Sequence, residues 1–229
     1  MGDIMSFISR CASVAVMAAS LSAPAWAVQD EEMPSYLVME PNAEVVFITT
    51  GGAEVRADWT AAAKSNLRGW FDTEIADLGY DTMLFDESAE QDAELEQLLL
   101  LYEVMSASID LSMPHKGGGM GSNYDLTLGD SVSLLADAHD TDYAVFIDHY
   151  SQIESGGVFM TQVLVGAATG YTPPSQNIRL TAGTVVDLGS GDVIDRNIVF
   201  MGDPRDPDES NGIVRRIMND LVLEAGAAE

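Results

Sequence analysis

The sequence predicts an α/β protein: a single layered domain with a mixed sheet of about five strands, helices packed on that sheet, and a closing antiparallel hairpin and C-terminal helix. Short runs rich in β-branched and aromatic residues alternate with longer segments whose apolar residues recur every three or four positions. Two β-rich runs flank Gly189-Ser190-Gly191, which is typical of a hairpin turn. The 229 residues suit one domain, and no second domain is predicted.

The N-terminal residues 1–27 have the pattern of a secretory signal peptide. Arg10 precedes an apolar run from Cys11 to about Leu21, and Ala25-Trp26-Ala27 supplies the small residues of a cleavage site. We expect cleavage between Ala27 and Val28. The mature protein is therefore predicted to be periplasmic or extracellular.

Two other interpretations of this segment fit its sequence less well. A membrane anchor needs ~20 apolar residues, and this run is shorter. A lipoprotein needs a cysteine at the cleavage point, whereas Cys11 follows Arg10 and precedes the apolar run. Cys11 is the only cysteine, so its removal leaves a mature chain that forms no disulfide. Asp3 is an unusual anion here, which makes Met5 an alternative to Met1 as the first residue.

The chain is strongly acidic, with 37 Asp and Glu against 10 Lys and Arg and a formal net charge of −27. Nucleic-acid binding depends on Lys and Arg contacts with phosphates, so the composition argues against that class of partner. It argues equally against electrostatic docking on anionic lipid. The charge predicts high solubility, and a specific cationic partner is the alternative interpretation.

The first predicted elements form a β-α-β unit. Residues 28–43 hold two prolines and several acids, which predicts a flexible acidic leader before a domain over 44–229. The run Glu44–Thr50 predicts one strand and 81–87 the next. Between them, 58–79 predicts a helix, and strands joined in this way usually run parallel. Its predicted apolar stripe consists of Trp59, Ala63, Leu67, Trp70, Phe71, Ile75 and Leu78.

Three further helices are predicted after this unit. They cover about 89–109, 131–139 and a segment that begins at Asp206, where Asp206-Pro207-Asp208-Glu209 resembles a capping box. Asp58 and Asp130 are the expected N-caps of the helices that follow them. The stripe predicted for 89–109 consists of Leu95, Leu98, Leu99, Leu101, Met105 and Ile109.

The remaining elements are strands and one ambiguous segment. Residues 142–152 predict a strand, and 178–188 with 192–202 predict the hairpin. The apolar run Gly157–Gly170 fits a buried helix, a buried strand or a segment that inserts into a membrane or a partner. Burial against the sheet is the expected outcome, because short apolar runs usually belong to the core.

The glycine-rich stretch HKGGGMGSNYD, residues 115–125, is predicted to be a slack connection. A phosphate-binding P-loop places Lys and Ser or Thr after its last glycine, whereas Lys116 precedes the glycines here. The stretch also follows a predicted helix rather than a strand. The glycines do not match the spacing of a dinucleotide fingerprint either.

No catalytic, cofactor or metal site is predicted. The three histidines, His115, His139 and His149, have no helical pair spacing that would suit a metal. His149 adjoins Asp148 in a strand, so the two should face opposite sides of the sheet, and we expect a surface or strand-end histidine. No G-x-S-x-G motif surrounds a serine. The acidic stretch 202–210 lacks the spacing of a calcium loop.

The order of blocks from Tyr124 onward resembles a family of uncharacterised secreted bacterial proteins. The blocks are YDLTLGDSVSLLA, DYAVFIDHYSQIESGG, VVDLGSGDVIDRN and MGDPRDPDES, followed by the closing helix. Leu126 stands where that family has an aromatic residue, and Ile194-Asp195 stands where it has V-W. More distantly, the layout is similar to periplasmic α/β domains of the curli-secretion lipoprotein and TolB N-terminal type. That resemblance implies envelope assembly through protein contacts and no catalytic residues, although this chain departs from the curli type in lacking a lipid-bearing cysteine.

Three functional hypotheses follow. The leading one is a non-enzymatic exported envelope protein that binds other envelope proteins in the periplasm. The second is a periplasmic small-molecule binding module or enzyme, with its site at the carboxyl ends of the first strands, Thr49–Gly52 and Asp86. The third is an oligomeric outer-membrane pore or secretion component that uses 157–170. No cofactor is predicted under any of them, and the oligomeric state is left open.

Overall fold

A computed structural model describes residues 33–86, 93–112, 126–221 and 223, without the side chains of 109–112. The signal peptide predicted over 1–27 lies outside these residues and stays a prediction. The predicted glycine connection, 115–125, also lies outside them.

The described residues form a mixed sheet of seven strands with helices on both faces, which confirms the predicted α/β class and exceeds the expected five strands. The strands are β1 (Ser35–Val38), β2 (Asn42–Thr49), β3 (Gly52–Val55), β4 (Asp81–Leu84), β5 (Tyr143–Glu154), β6 (Ile178–Asp187) and β7 (Val193–Val199). The helices are α1 (Ala57–Asp77), α2 (Ala93–Ser112), α3 (Ser133–His139), α4 (Gly156–Thr169) and α5 (Pro207–Asp220).

The sheet is organised around β5, its longest strand. One edge of β5 pairs in parallel first with β1 and then with β2, so these two strands lie end to end. The other edge pairs antiparallel with β6, which pairs with β7 to form the predicted hairpin. β4 runs parallel outside β1, and β3 runs antiparallel outside β2. β2 and β4, the two strands predicted on either side of α1, run parallel as expected. β3 was not predicted; it lies between β2 and α1 in the chain and runs antiparallel to both strands.

The interpretation of 28–43 as a flexible leader is wrong for its second half. β1 lies between β4 and β5, and Tyr36, Leu37 and Val38 are completely buried. The run SYLVM is short and is followed by Glu40-Pro41. The neighbouring prolines and acids are typical of a flexible segment, so the sequence pattern did not indicate a core strand here. The domain therefore includes residues that precede position 44.

Two apolar layers hold the helices on the sheet. On one face, α2 and α3 pack over β-strand residues such as Leu37, Ala144 and Val186. On the other face, α1 and α5 pack over residues such as Val38, Val145 and Val185. Neighbouring strand residues thus point to opposite layers, as the pleat of a strand requires.

The stripes predicted for the helices need small corrections. In α1 the buried residues are Ala63, Leu67, Phe71 and Ile75, whereas Leu78 is exposed beyond the helix end. In α2, Tyr102 replaces Leu101 in the core, because the spacing Leu98–Tyr102 continues the face that begins at Leu95, whereas Leu101 is 45% exposed. The buried face of α5 is confirmed at Ile213, Ile217 and Met218.

The predicted caps have mixed outcomes. Asp206 is the N-cap of α5 and accepts hydrogen bonds from the backbone N–H groups of Asp208 and Glu209, as predicted. Asp58 does not cap α1: the N-cap is Arg56, and Asp58 lies in the first turn. Asp130 lies inside a 3₁₀ turn, Gly129–Val132, that precedes α3. Asp58 is favourably placed all the same, since a carboxylate near a helix N-terminus complements the helix dipole.

The ambiguous apolar run is a helix, and it is not buried. α4 extends over Gly156–Thr169, and none of its residues is buried. Ser155 caps it by accepting from Val158 N, and Gly170 ends it in the left-handed conformation. The expectation of burial fails because α4 follows the far end of β5, beyond the part of the sheet that the core helices cover.

Candidate functional site

A cleft opens where the edge of the sheet changes from β1 to β2. Met39 N still donates to Val145 O over 3.0 Å, and Phe85 N donates to Val38 O over 3.0 Å. Pairing with β5 resumes at Asn42, so Glu40 and Pro41 form an unpaired break between β1 and β2. The cleft has a volume of about 680 Å³ and lies between this break, α1 and α2.

The α1 wall of the cleft carries two cations, Lys64 and Arg68, which face the carboxylate of Glu40 at the break. Lys64 Nζ lies 3.9 Å from Glu40 Oε1, and Arg68 Nη1 lies 3.7 Å from Glu40 Oε2. These separations exceed hydrogen-bond length, so the ion pairs are loose. Arg68 also donates through Nη2 to the backbone oxygen of Phe85, which fixes its position beside the break.

The α2 wall is apolar near the sheet and acidic at the rim. Leu95 and Leu99 lie on the inner side, whereas Leu100 is more than half exposed. Glu96 and Glu103 are exposed and line the same cleft. These two carboxylates are seven positions apart, which puts them two turns apart on one face of the helix.

The floor of the cleft includes an aromatic pair. Tyr102 of α2 stacks on Phe146 of β5, with ring centroids 4.0 Å apart and planes 17° apart. Both rings are almost completely buried. Beneath them, the Tyr102 hydroxyl donates to Asp148 Oδ2 over 2.6 Å. The floor is therefore anchored to the sheet by a hydrogen bond as well as by packing.

Asp148 is the centre of a buried polar network. Its Oδ2 accepts from Tyr102 Oη, from Ser106 Oγ at 2.8 Å and from Arg196 Nη1 at 2.9 Å. Arg196 Nη1 also donates to Thr184 Oγ1 over 2.6 Å. Burial, with the negative charge of Asp148, raises the pKa of the Tyr102 phenol, so the phenol remains a hydrogen-bond donor.

This network fits a structural role better than a catalytic one. Ser106 is buried and donates to a carboxylate that already has two other donors, so it lacks an activating base. His149 adjoins Asp148 in β5 but faces the opposite layer, as predicted, and bonds to Thr181 there. Within the described parts of the chain, no three His, Cys, Asp or Glu side chains converge to hold a metal ion.

The expectation of a surface or strand-end position for His149 is wrong. His149 is 3% exposed in the interior of β5, and its Nδ1 lies 2.8 Å from Thr181 Oγ1. Its Nε2 is buried and has no hydrogen-bond partner among the described residues. Burial lowers the pKa of His149 to about 4; Arg179 lowers it further, whereas Asp203 opposes the shift.

The small-molecule site predicted at Thr49–Gly52 and Asp86 is not assembled. β4 ends beside Val38, which pairs with Val145 of β5, whereas β2 continues until Ile48 pairs with Glu154. Nine residues of β5 separate these levels, a distance of roughly 30 Å at ~3.3 Å per residue. The cleft lies instead at the carboxyl end of β1, the strand that the sequence interpretation missed.

A second feature is the exposed apolar surface of α4, here called the α4 surface. Leu164 is 64% exposed and Phe159 is 59% exposed, with Met160, Val163 and Val165 beside them. The 24 residues between Glu154 and Arg179 contain no charged residue, although 21% of the chain is charged. No helix within the described residues is long and apolar enough to cross a membrane.

Sequence reasoning did not single out Arg196, Asp148 or Tyr102 as interacting residues. The available signal was a lone arginine inside an otherwise β-rich run, DVIDRNIVF, at the strand period that faces the core. An arginine that faces a core needs a buried acceptor. Asp148 is suited to that role because it lies on β5, two strands away from β7 in the sheet, and its side chain is on the same face of the sheet. Only the register of β5, β6 and β7 connects the two.

Comparisons with known proteins give a distant likeness only. No family model matches the sequence, and no curated protein matches it. Among solved structures, the chain is similar to a PelC dodecamer from Paraburkholderia phytofirmans, with a TM-score of 0.38 and 10% identity over 85% of this chain and 91% of that one. It is also similar to lipoprotein GNA1162 from Neisseria meningitidis, with a TM-score of 0.33 and 11% identity over 81% and 96%. The resemblance to the curli-secretion and TolB types stays a prediction.

Proposed function

We propose that this chain is a non-enzymatic, exported envelope protein that acts by binding other proteins, and that the α4 surface is its docking surface. The observation that carries the proposal is a 14-residue helix without a single buried residue whose exposed side chains are large and apolar. Contiguous exposed apolar surface of this kind marks interaction sites on soluble proteins.

The geometry of α4 supports a stable docking surface rather than a loose segment. Ser155 caps its N-terminus, and Gln162 Nε2 donates to Glu154 Oε1 over 2.8 Å, which ties the helix to the end of β5. Thr172 packs against Gly166, where an added Cβ would lie 2.7 Å from the threonine hydroxyl. A helix held at both ends need not order its backbone at binding, which lowers the cost of docking.

The absence of charge on α4 constrains the partner. A cationic partner could bind almost any acidic face of a chain whose net charge is −27. A partner that is itself acidic, including a second copy, would be repelled everywhere except at an uncharged face. The α4 surface is therefore suited to an apolar contact with an uncharged or acidic protein, and added salt should strengthen that contact by screening repulsion.

The test is Leu164→Asp in the full chain expressed in its native host. Gentle extracts are sized at low and high salt, and proteins crosslinked to the chain are identified. We expect the wild-type chain to migrate in an assembly that persists at high salt and the variant to migrate alone, because burying the new carboxylate in an apolar contact is unfavourable. Val55→Asp is the matched control, since Val55 is also an exposed apolar residue, on β3.

Two outcomes would contradict the proposal. One is a wild-type chain that migrates as a free monomer in every extract. The other is an assembly that Leu164→Asp leaves intact. Circular dichroism and melting temperature should be the same for both variants and the wild type, so that a loss of assembly reports on docking and not on folding.

A further inference from the structure

We propose that the cleft between the β1–β2 break, α1 and α2 binds a small, partly apolar cation: an ammonium or guanidinium group attached to an aromatic or aliphatic body. This site is separate from the α4 surface, and the proposal does not depend on the docking function. It rests on the size of the cleft, its lining and the distribution of charge around it.

The size and lining of the cleft suit a small molecule. Ligand sites are commonly concave, mostly apolar and ~300–1,000 Å³ in volume, and the cleft has about 680 Å³. Met39, Leu95 and Phe146 give it an apolar floor, while Asn42 and Leu100 are exposed at its rim. An aromatic or aliphatic body that packs on this floor would be transferred out of water, and burial of its apolar surface would favour binding.

The floor is preorganised. Tyr102 is held by stacking on Phe146 and by its hydrogen bond to Asp148, which is in turn fixed by Arg196. A ligand that contacts this floor need not order flexible side chains first, which reduces the cost of binding. The buried network around Asp148 thus holds the strands together and also fixes the floor of the cleft.

The charge of the lining favours a cation. Three carboxylates line the cleft, those of Glu40, Glu96 and Glu103, against the single ammonium of Lys64. Glu40 is loosely paired with Lys64 and Arg68, whereas neither Glu96 nor Glu103 forms an ion pair within the described part of the chain. The net charge of −27 also raises the local concentration of cations around the molecule.

The position of the cleft agrees with a general rule for α/β sheets. Ligands of such sheets bind beyond the carboxyl ends of strands, at points where the strand order changes. Here β1 ends and β2 takes over its edge of β5, so the chain itself leaves the sheet at Glu40-Pro41. α2 forms the opposite wall of the cleft.

The test uses 2-phenylethylamine, which is a cation at pH 7.5, and two probes of the same shape, uncharged 2-phenylethanol and anionic phenylacetate. Amide chemical shifts of the full chain, as processed by its host, are followed by NMR during titration. We expect saturable shifts at Asn42, Leu99 and Glu103 with the amine in the millimolar range. The alcohol should bind at least fivefold more weakly, and phenylacetate should not saturate.

The matched variants are Glu96→Gln/Glu103→Gln and Glu54→Gln/Asp220→Asn. Both pairs change exposed carboxylates and alter the net charge equally, but the second pair lies on β3 and at the end of α5, two elements that do not line the cleft. We expect the first pair to weaken amine binding at least fivefold and the second to change it less than twofold. Equal weakening by both pairs, equal binding of amine and alcohol, or no saturable shift in the wild-type chain would each overturn the proposal.

Discussion

Arg196 Nη1 donates to Asp148 Oδ2 over 2.9 Å although the Arg196 side chain is completely buried and the two residues lie on strands that are not neighbours. β6 runs between them and contributes Thr184 Oγ1, which accepts from the same Nη1. The guanidinium thus connects β7 to β5 across β6, on the face that α2 covers. A buried ion pair of this kind is costly to break, because removal of one partner leaves the other charge in the interior.

Arg196→Ala should therefore destabilise the protein strongly. Asp148 is only 13% exposed at its side chain and would lose its cation. We expect the free energy of unfolding to fall by about 3–5 kcal/mol, the usual cost of breaking a buried pair. Urea unfolding followed by circular dichroism measures it.

The control for this prediction is the double variant Arg196→Met/Asp148→Asn. It leaves no unpaired charge, and the asparagine still accepts from the Tyr102 hydroxyl. We expect it to lose less than half as much stability as Arg196→Ala, because neutral replacements of similar volume remove the desolvation penalty as well as the attraction. A double variant that is as unstable as the single one would show that the stability comes from packing and not from charge.

Gly183 is a second position where the packing leaves no room for a different residue. It lies in the middle of β6, where an added Cβ would lie 2.8 Å from Ile217 Cγ2 and 3.0 Å from Phe71 Cζ. The absence of a side chain is what lets α1 and α5 approach the sheet. We expect Gly183→Ala to lower the free energy of unfolding by about 1–3 kcal/mol through overpacking, as measured by thermal or urea unfolding.

Gly69→Ala is the matched control for Gly183→Ala. Gly69 lies inside α1, and nothing lies within 4 Å of an added Cβ. Since alanine is favoured over glycine in a helix, the control should gain ~0.5–1 kcal/mol. Opposite signs for the two substitutions are the expected result. A stabilising Gly183→Ala would mean that α1 and α5 are not packed on β6 as described.

Much of the fold was predictable because its signals are local. The helical stripe around Leu67 and Phe71, the hairpin around Gly189 and the cap at Asp206 each depend on residues close together in sequence, and each is observed. β1 was missed because a four-residue strand in a segment bounded by Pro34 and Pro41 carries too little pattern to distinguish it from a leader. Its strand identity comes from pairing with β4 and β5, more than 40 residues away.

The candidate sites were less predictable, for two different reasons. The cleft depends on how β1 and β2 share one edge of β5, and no local pattern encodes that arrangement. α4 was recognised as apolar, but burial was expected because short apolar runs usually belong to a core. Whether such a run is covered depends on where the strand before it ends, and β5 extends well beyond the helices that cover the sheet.

Asp206 gives a third prediction, on the start of α5. Its Oδ1 accepts from Asp208 N over 2.9 Å and from Glu209 N over 3.2 Å, which satisfies two N–H groups that the helix leaves free. We expect Asp206→Ala to lower the free energy of unfolding by about 1 kcal/mol. Asp206→Ser should retain most of that stability, because serine also caps helices. Equal losses for both substitutions would argue against capping as the cause.

The last prediction concerns His149 and acid stability. Its pKa is lowered to about 4 in the folded chain, mainly by burial, from an ordinary value of 6.5. The unfolded chain therefore binds a proton more readily than the folded chain between these two values. The part of the folding stability that depends on a neutral His149 is fully present above about pH 6.5 and is lost as the pH falls toward 4. Between pH 7 and 5 the free energy of unfolding should fall by about 2 kcal/mol for this reason.

The comparison that isolates this effect is wild type against His149→Gln, which cannot titrate in this range. Urea unfolding at half-unit steps from pH 7.5 to 5 gives the free energy of unfolding of each. We expect the free energy of unfolding of the wild type to fall relative to that of the glutamine variant as the pH drops, by about 2 kcal/mol in total, whereas the many carboxylates affect both proteins equally. Two parallel curves would show that His149 gains a proton in the folded chain as easily as in the unfolded one, and that its site is open to water.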